Sequence, residues 1–322
     1  MVSIAEILSW HQKQNGSFKN YDLDLSCKIK NPRSIEIAQE DHITFLTKKY
    51  SDFSKLLEKT KSKVIVLPKS LNVTNIPIKN KVLIFHDRPK DFIIAFCKYF
   101  LNEIEIKHQI HPTTIIEKGA KIGVNNHIGA NVFISKESEI GDNCQIGANT
   151  VLKNCIIQDN VIIGSNSTIG ETGFGYVKSD DRIDLFPHFG QVVIENNVHI
   201  GNNTCIDRGS LSDTIIKAGV KIDNLVHIAH NVIIGKNTLV IANSMIAGSV
   251  EIGENCWIAP SCNLMNGIKI GNNTTIGLGS VVTKDIPKNQ VYLGNPAIPI
   301  DDFRLLQKAK KEVLKSSNKE KE

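Results

Sequence analysis

Residues 216–282 read IKAGVK IDNLVH IAHNVI IGKNTL VIANSM IAGSVE IGENCW IAPSCN LMNGIK IGNNTT IGLGSV V, with Ile, Val or Leu at every sixth position from Ile216 to Val282. A period of six matches neither an α-helix nor a simple alternating strand. It matches a coil in which each hexapeptide is one flat face and three faces close a triangular turn, so that each aliphatic residue stacks on the one a full turn away. The register extends upstream through Ile110, Ile116, Ile122, Ile128, Ile134, Ile140, Ile146 and Leu152. It resumes after a one-residue slip at Ile157, Ile163 and Ile169, and again at Ile194, Ile200 and Ile206. These positions predict about nine coils of a left-handed parallel β-helix. Asn and Gly recur between the faces, where tight corners need left-handed backbone. Residues 171–192 lie outside the register, in a break that opens with the stretch GETGFGY (170–176).

The segments on either side read differently. Before residue 107 the pattern is that of a small α/β domain (1–107), with strands expected at Lys63–Leu67 (KVIVL) and Lys81–Phe85 (KVLIF) and helices at Asp52–Lys61 and Asp91–Leu101. The coil occupies 108–298. In the tail (299–322), residues 301–315 suit a short helix with an acidic start and a basic end.

Composition excludes several function classes. The 322 residues are 41% hydrophobic and 22% charged, enough for packed cores, and the 6% aromatic content disfavours a helical bundle. No run is long and apolar enough for a membrane span, and the N-terminus lacks the layout of a secretion signal, so a cytoplasmic protein is expected. Seven cysteines (27, 97, 144, 155, 205, 256 and 262) form no sequence cluster with each other or with histidine. They are expected as small buried filler, with no disulfide framework, no metal site and no bound cofactor. A net charge of +5 with only five arginines argues against a nucleic-acid binder.

A β-helix of hexapeptides resembles the acyltransferase superfamily that moves acyl groups from thioester carriers to sugars and amino acids. The motifs NTCIDRGSLSDT (203–214), KIDNLVHIAHNVIIG (221–235) and GETGFGY narrow this. Together they resemble the UDP-3-O-acylglucosamine N-acyltransferase family of lipid A biosynthesis, and HITFLTKKY (42–50) with the KVIVLPKS strand is similar to that family's uridine-binding domain. The resemblance implies a homotrimer whose active sites lie in the grooves between neighbouring coils. Its acceptor is a UDP-amino sugar and its donor an acyl-[acyl-carrier-protein], which Lys308, Lys310, Lys311 and Lys315 would help to dock.

Such a reaction needs a base for the attacking amine and a donor for the oxyanion, and a neutral imidazole suits the first task. By resemblance His230 is the base, Asp223 the carboxylate that supports it, and the Gly248 N–H the oxyanion donor. Asn224 belongs to the substrate side, and Phe45 and Tyr50 are the aromatics that sandwich uracil. Each has a plainer reading: a surface corner for His230, Asp223 and Gly248, and ordinary core packing for the two rings. Three features depart from the family, the first being that the family's Asn between these two aromatics is absent from Leu46, Thr47, Lys48 and Lys49. Gly267 stands where it carries a second active-site histidine, for which His227 and His199 are the nearest candidates in sequence, though corner roles are expected for both. Residues 276–297 (IGLGSVVTKDIPKNQVYLGNPA) look more like the end of coenzyme-A-dependent acetyltransferases. An acetyl-CoA-dependent N- or O-acetyltransferase is therefore the alternative, and a catalytically silent scaffold is a third.

Overall fold

The computed structural model describes residues 1–47, 53–73, 76, 78–101 and 108–319, with side chains up to residue 312. The chain divides into two compact units, Met1–Ile106 and Lys107–Glu322.

The first unit is built on a five-stranded sheet in the order Ser17–Tyr21, Lys81–His86, Val64–Pro68, His42–Phe45, Asn31–Pro32. The first pairing is antiparallel and the other three are parallel. Successive side chains of a strand point to opposite faces. Val64, Val66, Val82 and Ile84 accordingly pack with Ile4, Ile7, Phe92 and Phe96, while Ile65, Leu67 and Leu83 pack with Leu46 and Leu57. A sheet covered on both faces explains why KVIVL and KVLIF are continuous apolar runs. The helices are Ile4–Gln12, Phe53–Lys59 and Pro89–Phe100. Ser3 and Glu6 close a reciprocal capping box at the start of the first.

The second unit is the expected parallel β-helix, with its strands aligned in three sheets of ten, nine and eight. Register partners in the regular part are eighteen residues apart, as in Ile228 on Ile246 and Ile246 on Leu264. The repeating aliphatic residues from Ile128 to Val282 form one continuous core, each burial contributing roughly 1.5–3 kcal/mol. The start of the coil departs from expectation: Ile110 and Ile116 are 45% and 40% exposed, because no preceding coil covers them within this unit. Asn231, Asn237, Asn243 and Asn255 hold φ between 55° and 63° at the corners. Asn tolerates this conformation better than most side chains do. The small residues before the faces seal the coil through side-chain bonds: Thr150 Oγ1 donates to the Gly164 carbonyl at 3.0 Å and Thr238 Oγ1 to that of Gly253 at 2.8 Å.

Two irregularities interrupt the stack. Residues 173–191 leave it as an antiparallel hairpin, Tyr176–Ser179 with Arg182–Leu185, and Ile162 therefore pairs with His199. Residues 209–213 form a smaller excursion before Thr214–Ile216. At the far end Val291–Leu293 pairs antiparallel with Ile298–Pro299, and the helix Ile300–Lys319 groups with the coil unit rather than standing apart.

Candidate active site

The two irregularities meet on one edge of the coil. The strand His227–Ile228 ends at a corner that carries Ala229, His230 and Asn231. There a cavity of about 410 Å³ is lined by Phe174, Asp207, His227, His230, Met245, Gly248 and Asn266, among others.

His230 is half-buried and its orientation has a clear cause. Its Nδ1 lies 2.8 Å from Asn231 Oδ1. The Asn231 amide is itself fixed, since its Nδ2 donates to the Ser212 carbonyl at 2.8 Å, which only accepts, and its Oδ1 accepts from Ser210 Oγ at 2.8 Å. In the neutral ring Nδ1 therefore carries the proton and Nε2 the lone pair. The ring lies over Gly248, one coil on. A Cβ at Gly248 would fall 2.8 Å from Nε2 and Cε1, so only glycine admits the imidazole here. Among the described residues the Gly248 N–H has no hydrogen-bond partner, so the glycine that the ring covers also carries a free backbone donor.

Asp223 is not the partner of His230 within one chain. It sits at the opposite end of the His227–Ile228 strand, where its carboxylate accepts from the backbone N–H of Asn224 at 2.8 Å and of Ala242 at 3.3 Å. It lines a second groove, of about 580 Å³, with His199, Asn224, Leu239 and Trp257. Asn224 Oδ1 is taken by the Asn202 backbone N–H at 2.6 Å, a bond between coils. His199 and His227 do not hold corners as expected: both lie on strands with their side chains outward, because each occupies the position just before an inward Ile.

The residue that sequence reading missed is Asp207, of the IDRG motif. It is only 6% exposed. His227 Nε2 stands 3.8 Å from Asp207 Oδ2, and Cys205 Sγ 3.6 Å from Oδ1. Burial pushes the Asp207 carboxyl up, against the opposing pull of His227, the Cys205 thiol, His230 and His188. Burial, then the nearby carboxylate, pushes the Cys205 thiol up to about 12. Cys205 is thus part of a polar cluster rather than filler, unlike the buried Cys144, Cys155, Cys256 and Cys262. His188, from the end of the hairpin insertion, packs its ring edge-to-face on His230 with centroids 5.5 Å apart. Its Nδ1 bonds the Phe186 carbonyl at 2.8 Å, and its buried Nε2 has no partner. The rest of IDRG…DT is structural. Arg208 Nε donates to the Gly190 carbonyl at 2.7 Å and Asp213 Oδ1 accepts from Gln191 N–H at 2.8 Å, pinning the return of the insertion.

In the first unit Phe45 is half-buried against the sheet core, while Tyr50 lies outside the described residues. No described helix is long and apolar enough to cross a membrane. Lys308, Lys310 and Lys311 are exposed on the terminal helix, and the Lys315 side chain is outside the described set.

Comparison with known proteins agrees with this fold. The family model described as bacterial transferase hexapeptide (six repeats) matches residues 137–171 and 249–284, and that of the hexapeptide repeat of succinyl-transferase matches 231–259. A UDP-3-O-acylglucosamine N-acyltransferase of Helicobacter pylori (strain J99 / ATCC 700824) is 36% identical over 318 residues, 94% of this chain and 91% of that protein. The chain belongs to the UDP-3-O-acylglucosamine N-acyltransferase family. A second relative bearing that name, UDP-3-O-acylglucosamine N-acyltransferase 2 of Legionella pneumophila (strain Paris), is 46% identical over 167 residues. That match spans 52% of this chain and about half, 49%, of the relative. Among solved structures, a UDP-N-acetylglucosamine acyltransferase from Campylobacter jejuni superposes with a TM-score of 0.54 at 26% identity, over 59% of this chain and 73% of that one. The hexapeptide-repeat match at 231–259 includes Asn231 and Gly248.

Proposed function

We propose that this protein transfers an acyl chain from an acyl-[acyl-carrier-protein] to the 2-amino group of UDP-3-O-acylglucosamine, in lipid A biosynthesis and in the cytoplasm. The observation that carries the reading is the His230–Asn231 hydrogen bond, which gives Nε2 the lone pair of the neutral ring over Gly248, whose N–H is free. The substrate amine attacks the thioester carbonyl as Nε2 takes one of its protons. The carbonyl oxygen becomes an oxyanion facing the Gly248 N–H. Collapse forms the amide, breaks the C–S bond, and returns the proton from imidazolium to the departing thiolate. Asn231 holds the tautomer that this sequence requires.

Asp223 enters this reading through a second copy of the chain. Asp223 and His230 stand at opposite ends of the His227–Ile228 strand, and a homotrimer would bring the Asp223 corner of one protomer to the His230 cleft of the next. Phe45 offers a ring face to uracil, and Lys308, Lys310 and Lys311 offer charge to an acidic carrier protein.

The decisive assay offers the purified protein acyl-carrier thioesters and acetyl-CoA side by side with UDP-3-O-acylglucosamine, and identifies the product by mass spectrometry. Carrier-dependent N-acylation that falls about 10²–10⁴-fold in His230→Ala is expected. Acetylation from CoA alone would overturn the donor. Retention of rate by His230→Ala would overturn the base. Mixing His230→Ala with Asp223→Ala protomers should restore roughly a quarter of wild-type activity by random assortment if the site is shared between copies.

A further inference from the structure

Cys205, Asp207 and His227 form a junction that the acyl-transfer chemistry leaves unused. Cys205 and His227 are register partners on adjacent coils. Asp207, two residues on from Cys205, turns one carboxylate oxygen to each of them. Sγ lies 3.6 Å from Oδ1, Nε2 lies 3.8 Å from Oδ2, and the three ligand atoms all lie within 4.8 Å of one another. A tetrahedral zinc ion, with bonds of about 2.3 Å to sulfur and about 2.0–2.2 Å to nitrogen and oxygen, sets its ligand atoms roughly 3.4–3.6 Å apart. Sulfur and imidazole nitrogen each approach one oxygen of the same carboxylate, and with one ligand atom per residue the three atoms stand within 4.8 Å, about an ångström wider than that figure. The gap closes by a swing of the His227 ring, whose side chain is 45% exposed and free to turn.

A second observation, on the Asp207 carboxylate, points to a cation. Asp207 is buried, yet among the described residues no N–H or O–H donates to its carboxylate, and the Cys205 thiol is its only hydrogen-bond donor. A carboxylate taken out of water without strong donors lacks the interaction that offsets its desolvation. Thiolate and imidazole in one set favour zinc or cobalt over magnesium or calcium, which take oxygen ligands.

We infer that Cys205, Asp207 and His227 bind a divalent transition metal of the zinc class, with the fourth coordination position open to the cleft. On binding, the Cys205 S–H bond breaks and its proton passes to solvent. Thiolate sulfur, imidazole Nε2 and carboxylate oxygen each donate an electron pair to the ion, and nothing is oxidised or reduced. This site shares no ligand with His230, Asn231 or Gly248 and does not rest on the acyl-transfer reading.

The test is optical and needs no turnover. Untagged full-length protein, stripped with a chelator, is titrated with Co²⁺, which reports thiolate ligation by a near-ultraviolet charge-transfer band and tetrahedral geometry by intense visible bands. Both bands are expected to saturate at one ion per chain and to vanish when Zn²⁺ is added. Cys205→Ser should lose the charge-transfer band. His227→Gln, on a half-exposed side chain, should weaken Co²⁺ binding by more than about tenfold. Cys97→Ser, in the first unit, should change neither. Zn²⁺ should raise the melting temperature of the wild type but not of Asp207→Asn, which keeps the test open if Cys205→Ser folds poorly. A wild type without the thiolate band, or a band that survives Cys205→Ser, would overturn the proposal.

Discussion

The stretch from Ile216 to Val282 and the stretch from Gly170 to Thr214 belong to the same solenoid and are built by opposite rules. In the first, every face repeats its predecessor, and each residue meets the one eighteen positions away. In the second, the excursions change that spacing: the Asp159 N–H bonds Asn196 at a separation of 37, and Ser210 meets Asn231 at 21. The regular part buries aliphatic side chains and presents little chemistry of its own. The interrupted part delivers Asp207, His188 and the Ser210–Ser212 turn to the edge where the regular part supplies His230 and Gly248. Repetition provides rigidity, and its interruption provides polar groups that no repeat could place.

Substitutions should separate these roles. The largest effect is expected from Ile252→Ala in the regular stack, which empties a site only 2% exposed. It should lower stability by about 2–5 kcal/mol, read as a fall in melting temperature, with turnover per folded molecule unchanged. Gly248→Ala should do the reverse. The added methyl meets the imidazole at 2.8 Å, so the rate should fall about 100-fold while the melting curve moves little. A larger loss of stability than of rate would break the comparison. Asn231→Gly comes next: glycine keeps the backbone at φ 63° without strain but removes the amide that orients His230. A roughly tenfold loss of rate is expected, a fraction of what a positioned base supplies.

The smallest effect belongs to His199. Its pKa is lowered, first by burial and then by Lys221, against the pull of Asp223. A histidine lowered in the folded state is protonated first in the unfolded chain, near pH 6.5. Its contribution to stability is therefore present above that pH and lost as the solution is acidified below it. The melting temperature of His199→Gln should depend less steeply on pH from 7 down to 5 than that of the wild type.

The coil was legible because its cause is local and repeated: one inward aliphatic residue per face, with Asn at the turns. His230 and Gly248 were legible for the same reason, since their spacing of eighteen places them on one edge of adjacent coils. Asp223 was paired with His230 by resemblance alone, and within one chain the two residues hold opposite ends of a strand, so their meeting needs a second copy. Asp207 and His188 were hidden by the excursions, whose paths no period predicts. Cys205 looked like the other small residues that precede a face, and only its pairing with His227 across the coils sets it apart.

The closing strands carry a consequence for how far such a molecule can grow. A stack of identical rungs has no intrinsic length, and its last rung offers an open edge on which another chain could continue. Here that edge is turned back on itself at Tyr292 and Pro299, and proline has no N–H with which to template a newcomer. The tail beyond the last rung thus works as a stopper, keeping a repetitive polymer discrete at that end.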